Sequence, residues 1–217
     1  MRKFDLAVFD LDGTLIDSKL DLVHAVNAML AHMNRAALPE ATIASYVGNG
    51  APMLMRRVLG PAASEEEVTA ALDFFIRYYQ DHRVVHTRLY DGVAESLREL
   101  HTAGVRMAVL TNKPVRISQL IIADLGLHDL FFRTYGGNSF PEKKPHPMGL
   151  EKLLAESGVG AHRAVMIGDS AVDIRTAKNA SVFALGVTFG FQPESFAAEP
   201  PDAVIHHMAE LPAVVLG

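Results

Sequence analysis

Cysteine is absent from the 217 residues, which excludes disulfides, thiolate metal sites and a cysteine nucleophile. A basic excess is missing too. Twenty Lys+Arg stand against 25 Asp+Glu, a formal net charge of −5, so the chain lacks the field of a nucleic-acid or anionic-membrane binder. No apolar run approaches the roughly 18 residues that a membrane helix needs. Even Leu120 to Phe132 is broken by Asp124 and Asp129. Repeats, low-complexity tracts and long linkers are also missing. The opening Met1 to Asp10 meets charge too early for a signal peptide, and the expected location is the cytoplasm. What remains, 49% hydrophobic and 21% charged, is the composition of a globular protein. Its length allows one large domain or two unequal ones.

The apolar residues are organised as short runs separated by helical periodicities. Phe4–Phe9, Val105–Leu110, Phe132–Tyr135, Ala164–Ile167, Val182–Val187 and Ala203–Ile205 read as strands, most of them apolar at consecutive positions, as strands buried on both faces are. Between them, Gly92–Ala103, Pro114–Leu125, Met148–Ser157 and Asp173–Ala180 carry apolar residues three and four apart. Strand alternating with helix predicts an α/β fold, a Rossmann-like doubly wound parallel sheet. One interval breaks the alternation. From about Ser18 to Val85 there is helical periodicity and no strand: Leu22, Val26, Met29, Leu30 and Met33 share a face, and Ser64-Glu-Glu-Glu67 has the form of a capping box. The expected organisation is a core of residues 1–17 and 86–217 with an inserted helical domain, 18–85.

Polar residues collect where the strands end. Phe4–Phe9 runs into Asp10-Leu-Asp12-Gly13-Thr-Leu-Ile-Asp17, Val105–Leu110 into Thr111-Asn112-Lys113, and Ala164–Ile167 into Gly168-Asp169-Ser170-Ala-Val-Asp173. Ligands of open α/β sheets bind outside the carboxyl ends of the strands, so three strands deliver carboxylates and hydroxyls to one edge. Up to four carboxylates there (Asp10, Asp12, Asp169 and Asp173) call for a hard divalent cation with oxygen ligands. Mg²⁺ is such a cation.

Asp-x-Asp-Gly-Thr-Leu-x-Asp, a strand ending in Thr-Asn, then Lys144-Pro145, then Gly-Asp-Ser-x-x-Asp resembles the haloacid dehalogenase superfamily, in order and across essentially the whole chain. The resemblance implies that Asp10 is a nucleophile and Asp12 a general acid and base. It implies Mg²⁺ held by the Asp10 carboxylate, the Asp12 carbonyl and Asp169, with Ser170 and Asp173 behind them, Asp173 orienting Lys144 or a metal-bound water. Thr111, Asn112 and Lys144 would hold the phosphoryl oxygens, Lys143 being the alternative to Lys144, and Gly13 would line the substrate. Asp12 argues against carbon–halogen chemistry, because true dehalogenases lack it. Tyr90-Asp-Gly-Val-x-Glu-x-Leu, Leu110-Thr-Asn-Lys-Pro114 and Val47-Gly-Asn-Gly50 look like the phosphoglycolate phosphatase group. In that group the helical insertion is a mobile cap, with Gly48, Asn49 and Gly50 facing the substrate. Val172 stands where the group often has Asn, and Ala180-Ser181 where it often has Ala-Gly.

The expected activity is therefore Mg²⁺-dependent hydrolysis of a small phosphorylated metabolite, 2-phosphoglycolate foremost, by a monomer or homodimer acting on neither nucleic acid nor membrane. A phosphomutase resembling β-phosphoglucomutase needs the same motifs and is the alternative, alongside a phosphatase of another small ester. An inactive relative serving as a binding module would have lost one of Asp10, Asp12, Lys144 or Asp169, and none is missing. His82-x-x-x-His86 has helical metal-pair spacing but lacks the Glu of a zincin helix. His206-His207 reads as surface, His146 gains no role, and Gly48-Asn-Gly50 is not a dinucleotide fingerprint. Arg56-Arg57 reads as a solvated helix face.

Overall fold

Six short strands lie side by side as one parallel sheet in the computed structural model, which describes residues 2–217. In chain order the strands are β1 (Leu6–Phe9), β2 (Ile16–Asp17), β3 (Arg88–Leu89), β4 (Arg106–Leu110), β5 (Arg133–Tyr135), β6 (Ala164–Gly168), β7 (Phe183–Val187) and β8 (Ala203–Ile205). The helices are α1 (Lys19–His32), α2 (Glu40–Tyr46), α3 (Ala51–Leu59), α4 (Glu65–Asp81), α5 (Val93–Thr102), α6 (Val115–Asp124), α7 (Met148–Ser157), α8 (Ala171–Asn179) and α9 (Leu211–Leu216). The large sheet runs β5-β4-β1-β6-β7-β8 with every pairing parallel. From β1 the chain builds outward through β4 and β5, then returns to the other side for β6, β7 and β8. The strand order therefore reverses beside β1, the kind of switch point where open α/β sheets form their ligand crevice.

The consecutive apolar runs are explained by burial on both faces. Leu6, Val8, Ala108, Leu110, Ala164 and Met166 point to one side and pack with Leu150 and Leu153 of α7 and Ile174 and Ala177 of α8. Successive strand residues face opposite sides, and the alternates Ala7, Phe9, Val109, Val165 and Ile167 are just as fully buried. Each such Leu, Ile, Val, Phe or Met side chain contributes about 1.5–3 kcal/mol relative to exposure.

Element ends differ by a few residues from the expectation. The first strand begins at Leu6 rather than Phe4, whose N–H is donated to the Val215 carbonyl of α9 (3.0 Å). The helix expected to open at Asp173 opens at Ala171, because Ser170 is its extended N-cap and its carbonyl accepts from Asp173 and Ile174. Helix α9, too short for a periodic signal, is an addition.

The chain divides into two compact units, one running up to Asp17 and again over Leu89–Gly217, the other Ser18–Arg88. Residues 85–87 fall in the second unit for a physical reason. Buried Asp21 on α1 accepts the N–H groups of Val85, His86 and Thr87 and the Thr87 hydroxyl, which ties residues 85–87 to the helical unit. That unit has its own core of Val26, Met29, Ile43, Met55, Ala71 and Tyr79. Its capping box forms as read: the Ser64 hydroxyl accepts from Glu67 N–H, and the Glu67 carboxylate accepts from Ser64 N–H. Among the described residues no helix is long and apolar enough to cross a membrane.

Candidate active site

The carboxyl end of β1 turns into a tight loop organised by one carbonyl. The Leu11 oxygen accepts from the N–H groups of Thr14, Leu15 and Ile16, and Gly13 N–H donates to Ile16. Leu11 and Leu15 are wholly buried, so the loop is nailed to the core by its apolar residues. Gly13 has φ +80°, and a Cβ there would lie 2.2 Å from Asp169 Oδ2. Only glycine lets the loop pass this close to the carboxylate.

Register brings the other strand ends alongside. Phe9 pairs with Val109 on one side and Ile167 on the other, and Asp10 N–H donates to the Ile167 carbonyl at 2.9 Å. The residues just beyond β4 and β6, Thr111 and Asp169, therefore flank the β1 loop, and both are buried. Asp10, Asp169 and Asp173 each place a carboxylate oxygen within 4.8 Å of the others.

Two ammonium groups enter this cluster. Lys144 Nζ lies 2.8 Å from Asp10 Oδ1 and 2.6 Å from Asp173 Oδ1, its side chain 2% exposed. Its backbone is fixed from β4, where the Asn112 side-chain amide donates to the Lys144 carbonyl at 3.0 Å; the Lys144–Pro145 peptide bond is cis. Asp173 also accepts from the Ser170 hydroxyl (2.7 Å) and N–H (3.2 Å). The second ammonium belongs to Lys113, which reaches both Asp12 oxygens at 2.9 and 3.0 Å. Lys143, by contrast, is exposed.

The charges set the acidities. Burial, partly opposed by Lys144 and reinforced by Asp173 and Asp12, raises Asp10 to about 6. Burial and the neighbouring charges of Asp173 and Asp10 push Asp169 well above the ordinary carboxylate range, although Phe191 N–H bonds it at 2.6 Å. Burial alone would lower Lys144, but the carboxylates of Asp10 and Asp173 hold it above its usual value. Were all four carboxylates (Asp10, Asp12, Asp169, Asp173) ionised, the two ammoniums (Lys113, Lys144) would leave two negative charges uncompensated. Like charges about 4 Å apart repel by roughly 4 kcal/mol even at an effective dielectric near 20. All-oxygen donors in which carboxylates outnumber ammoniums fit a hard divalent cation, which favours their ionised forms.

Asp10, Asp12, Gly13, Thr111, Asn112, Lys144, Asp169, Ser170 and Asp173 are thus gathered at one sheet edge. Gly48, Asn49 and Gly50 lie in the helical unit, where Gly50 precedes α3 and the Asn49 side chain accepts from Arg57 at 2.8 Å. Arg57 also donates to the Tyr46 carbonyl, and Arg56 pairs with Glu65. Three participants were not read from sequence: Lys113, visible only as a residue after the Thr-Asn strand end, and Gly190 and Phe191 beyond β7. A Cβ on Gly190 would lie 2.3 Å from Asp169 Cβ. His82 pairs with Tyr78, not with His86. His86 instead lies against His24 beside Asp21, whose carboxylate is already taken up by residues 85–87.

The haloacid dehalogenase-like hydrolase family model matches residues 7–187. The chain belongs to that family. A phosphoglycolate phosphatase of Colwellia psychrerythraea is 41% identical over 88% of this chain and 87% of its own length. One from Vibrio vulnificus is 38% identical over 99% and 97%. The crystal structure of a predicted phosphoglycolate phosphatase from Haemophilus somnus superposes with a TM-score of 0.94 at 33% identity, over 99% of both chains. This haloacid dehalogenase-like hydrolase is accordingly an enzyme of the phosphatase group, and its fold is that of the family.

Proposed function

We propose that the enzyme hydrolyses 2-phosphoglycolate to glycolate and phosphate, with Mg²⁺ and through a phosphoaspartyl intermediate on Asp10. The observation that carries the reading is the cluster of carboxylates at the ends of β1 and β6, with the Lys144 ammonium against it. The substrate is taken from the relatives named phosphoglycolate phosphatase.

Mg²⁺, held by the Asp10 carboxylate, the Asp12 carbonyl and Asp169, would neutralise charge on the phosphoryl group. The Asp10 carboxylate attacks phosphorus as the ester P–O bond breaks, dividing one difficult displacement into two easier ones. Asp12 delivers a proton to the departing alkoxide, then takes one from the water that attacks the phosphoaspartate. Lys144, already against Asp10, together with the Thr111 hydroxyl and the Asn112 backbone, donates to the phosphoryl oxygens. Asp173, itself fixed by Ser170, keeps Lys144 in place. The Ser18–Arg88 unit serves as the cap, Gly48, Asn49 and Gly50 contributing to substrate binding and to exclusion of water.

The experiment is phosphate release from 2-phosphoglycolate, glucose 1-phosphate and a wider panel of esters, with and without Mg²⁺, using Asp10→Asn as control. Fast, metal-dependent release from 2-phosphoglycolate, lost in the variant, is the expected result. Uniformly slow release across the panel would discard the substrate, and isomerisation of the sugar phosphate would favour the mutase.

A further inference from the structure

The proposed chemistry uses Lys144 but leaves a second buried cation without a task. Lys113 is not a surface lysine: its side chain is 4% exposed, less than the 13% of the Asp12 carboxylate that it meets. Its backbone is held on both sides, with its N–H donated to Thr111 Oγ1 at 3.3 Å and its carbonyl accepting from Gly137 N–H at 2.9 Å. The ammonium is therefore delivered inward from the end of β4 to a defined place.

That place has a chemical meaning. Lys144 stands at the Asp10 and Asp173 carboxylates, on the side of the attacking group. Lys113 stands at Asp12, on the side of the departing group, if Asp12 protonates the ester oxygen as proposed above. We propose that Lys113 is the specificity residue for the leaving group, selecting small phosphate esters that carry a carboxylate one methylene from the ester oxygen. This inference rests on the phosphatase reading of the site and deepens it.

Reach and charge both favour this role. An ammonium touching both oxygens of the group that meets the ester oxygen is within a side-chain swing of an anion one carbon further on. Lysine acts as a point charge with three rotatable donors, so it can share itself between Asp12 and a substrate carboxylate without a fixed fork geometry. A neutral leaving group offers no second anion, and the buried ammonium then gains nothing from its binding. A charge-assisted hydrogen bond of this kind favours the carboxylate-bearing ester by about tenfold to a hundredfold. Were Lys113 only a counter-charge for Asp12, its loss would slow every ester alike.

The test compares 2-phosphoglycolate with 2-hydroxyethyl phosphate, in which a hydroxymethyl group replaces the carboxylate, at saturating Mg²⁺. The readout is the ratio of the two kcat/KM values in the wild-type enzyme, Lys113→Met and Lys113→Arg, each variant first checked for a cooperative thermal transition. The wild-type ratio is expected to exceed ten. Lys113→Met should lower the ratio at least tenfold, chiefly through KM for 2-phosphoglycolate, and Lys113→Arg should recover part of it. Equal loss on both esters in Lys113→Met, or a wild-type enzyme that turns over both equally well, overturns the assignment while leaving the phosphatase intact. Failure of the wild-type enzyme to release phosphate from either ester would instead remove the underlying reading, and this inference with it.

Discussion

Lys144 Nζ stands 2.8 Å from the Asp10 carboxylate, with the two side chains 2% and 12% exposed. The same ammonium is 2.6 Å from Asp173, whose side chain is 1% exposed. One cation is thus shared between two withdrawn carboxylates, and neither has water enough to replace it. Breaking a buried pair by removing one partner typically costs about 3–5 kcal/mol. Lys144→Met should therefore lower the melting temperature by about 10 °C and abolish turnover. An unchanged melting temperature would mean that the cluster does not depend on this cation for its neutralisation.

The raised acidity constants make a prediction about metal and pH together. Asp10 is raised to about 6 and Asp169 is raised as well, principally by burial. A carboxyl raised above its unfolded value of about 3.9 stabilises the fold fully below that value, and the contribution is lost as pH rises through the folded value. Metal-free enzyme should thus lose stability between about pH 4 and pH 6 and beyond. A divalent cation binds the ionised form, so Mg²⁺ should raise the melting temperature by about 5–10 °C at pH 7.5 when present at a hundred times its dissociation constant. The effect should be distinctly smaller at pH 5. Differential scanning fluorimetry with and without EDTA checks both slopes, and an equal Mg²⁺ effect at the two pH values would contradict the assignment of these carboxylates as its ligands.

Two glycines wall in Asp169. Methyl groups at Gly13 or Gly190 would fall 2.2–2.3 Å from its side chain, inside any tolerable contact. Gly13→Ala should reduce kcat/KM at least a hundredfold by displacing Asp169, with weakened Mg²⁺ affinity measured by titration calorimetry. Wild-type affinity in that variant would show that Asp169 is not a ligand.

Ser181 offers an opposite case. It sits at the end of α8 with φ +56°, its N–H bonded to the Lys178 carbonyl while Val182 N–H bonds Ala177. Glycine occupies such left-handed positions without the Cβ penalty. Ser181→Gly should stabilise the enzyme by about 0.5–1 kcal/mol, raising the melting temperature by about 1–4 °C with kinetics unaltered. A lower melting temperature would show that the hydroxyl, not the backbone, governs this corner.

What could be read from the chain beforehand has a physical pattern. The strand runs and the clusters following Phe9, Leu110 and Ile167 are local signals, because a two-faced burial and a strand end are each written in a handful of consecutive residues. The sheet topology then carries Asp10, Thr111 and Asp169 to one edge. Contacts set by distant backbone are different in kind. Lys113 meets Asp12 across 101 positions and Phe191 meets Asp169 across 22, and no spacing rule points a lysine inward. Nothing local in the sequence marks Asp21 as a backbone anchor, because its four donors arrive from 64 to 66 positions away. Likewise His86 had helical spacing to His82, yet the helix ends at Asp81 and the ring turns to His24.

Asp10 is the proposed nucleophile at phosphorus. Acid-quenching the enzyme milliseconds after mixing with 2-phosphoglycolate and Mg²⁺, followed by peptide mass spectrometry, tests it most directly. The expected result is a base-labile phosphoryl group on the peptide that contains Asp10, formed at least as fast as steady-state turnover and absent from Asp10→Asn. Phosphate release at full rate by Asp10→Asn, with no phosphoryl group on that peptide in the wild-type enzyme, would contradict it.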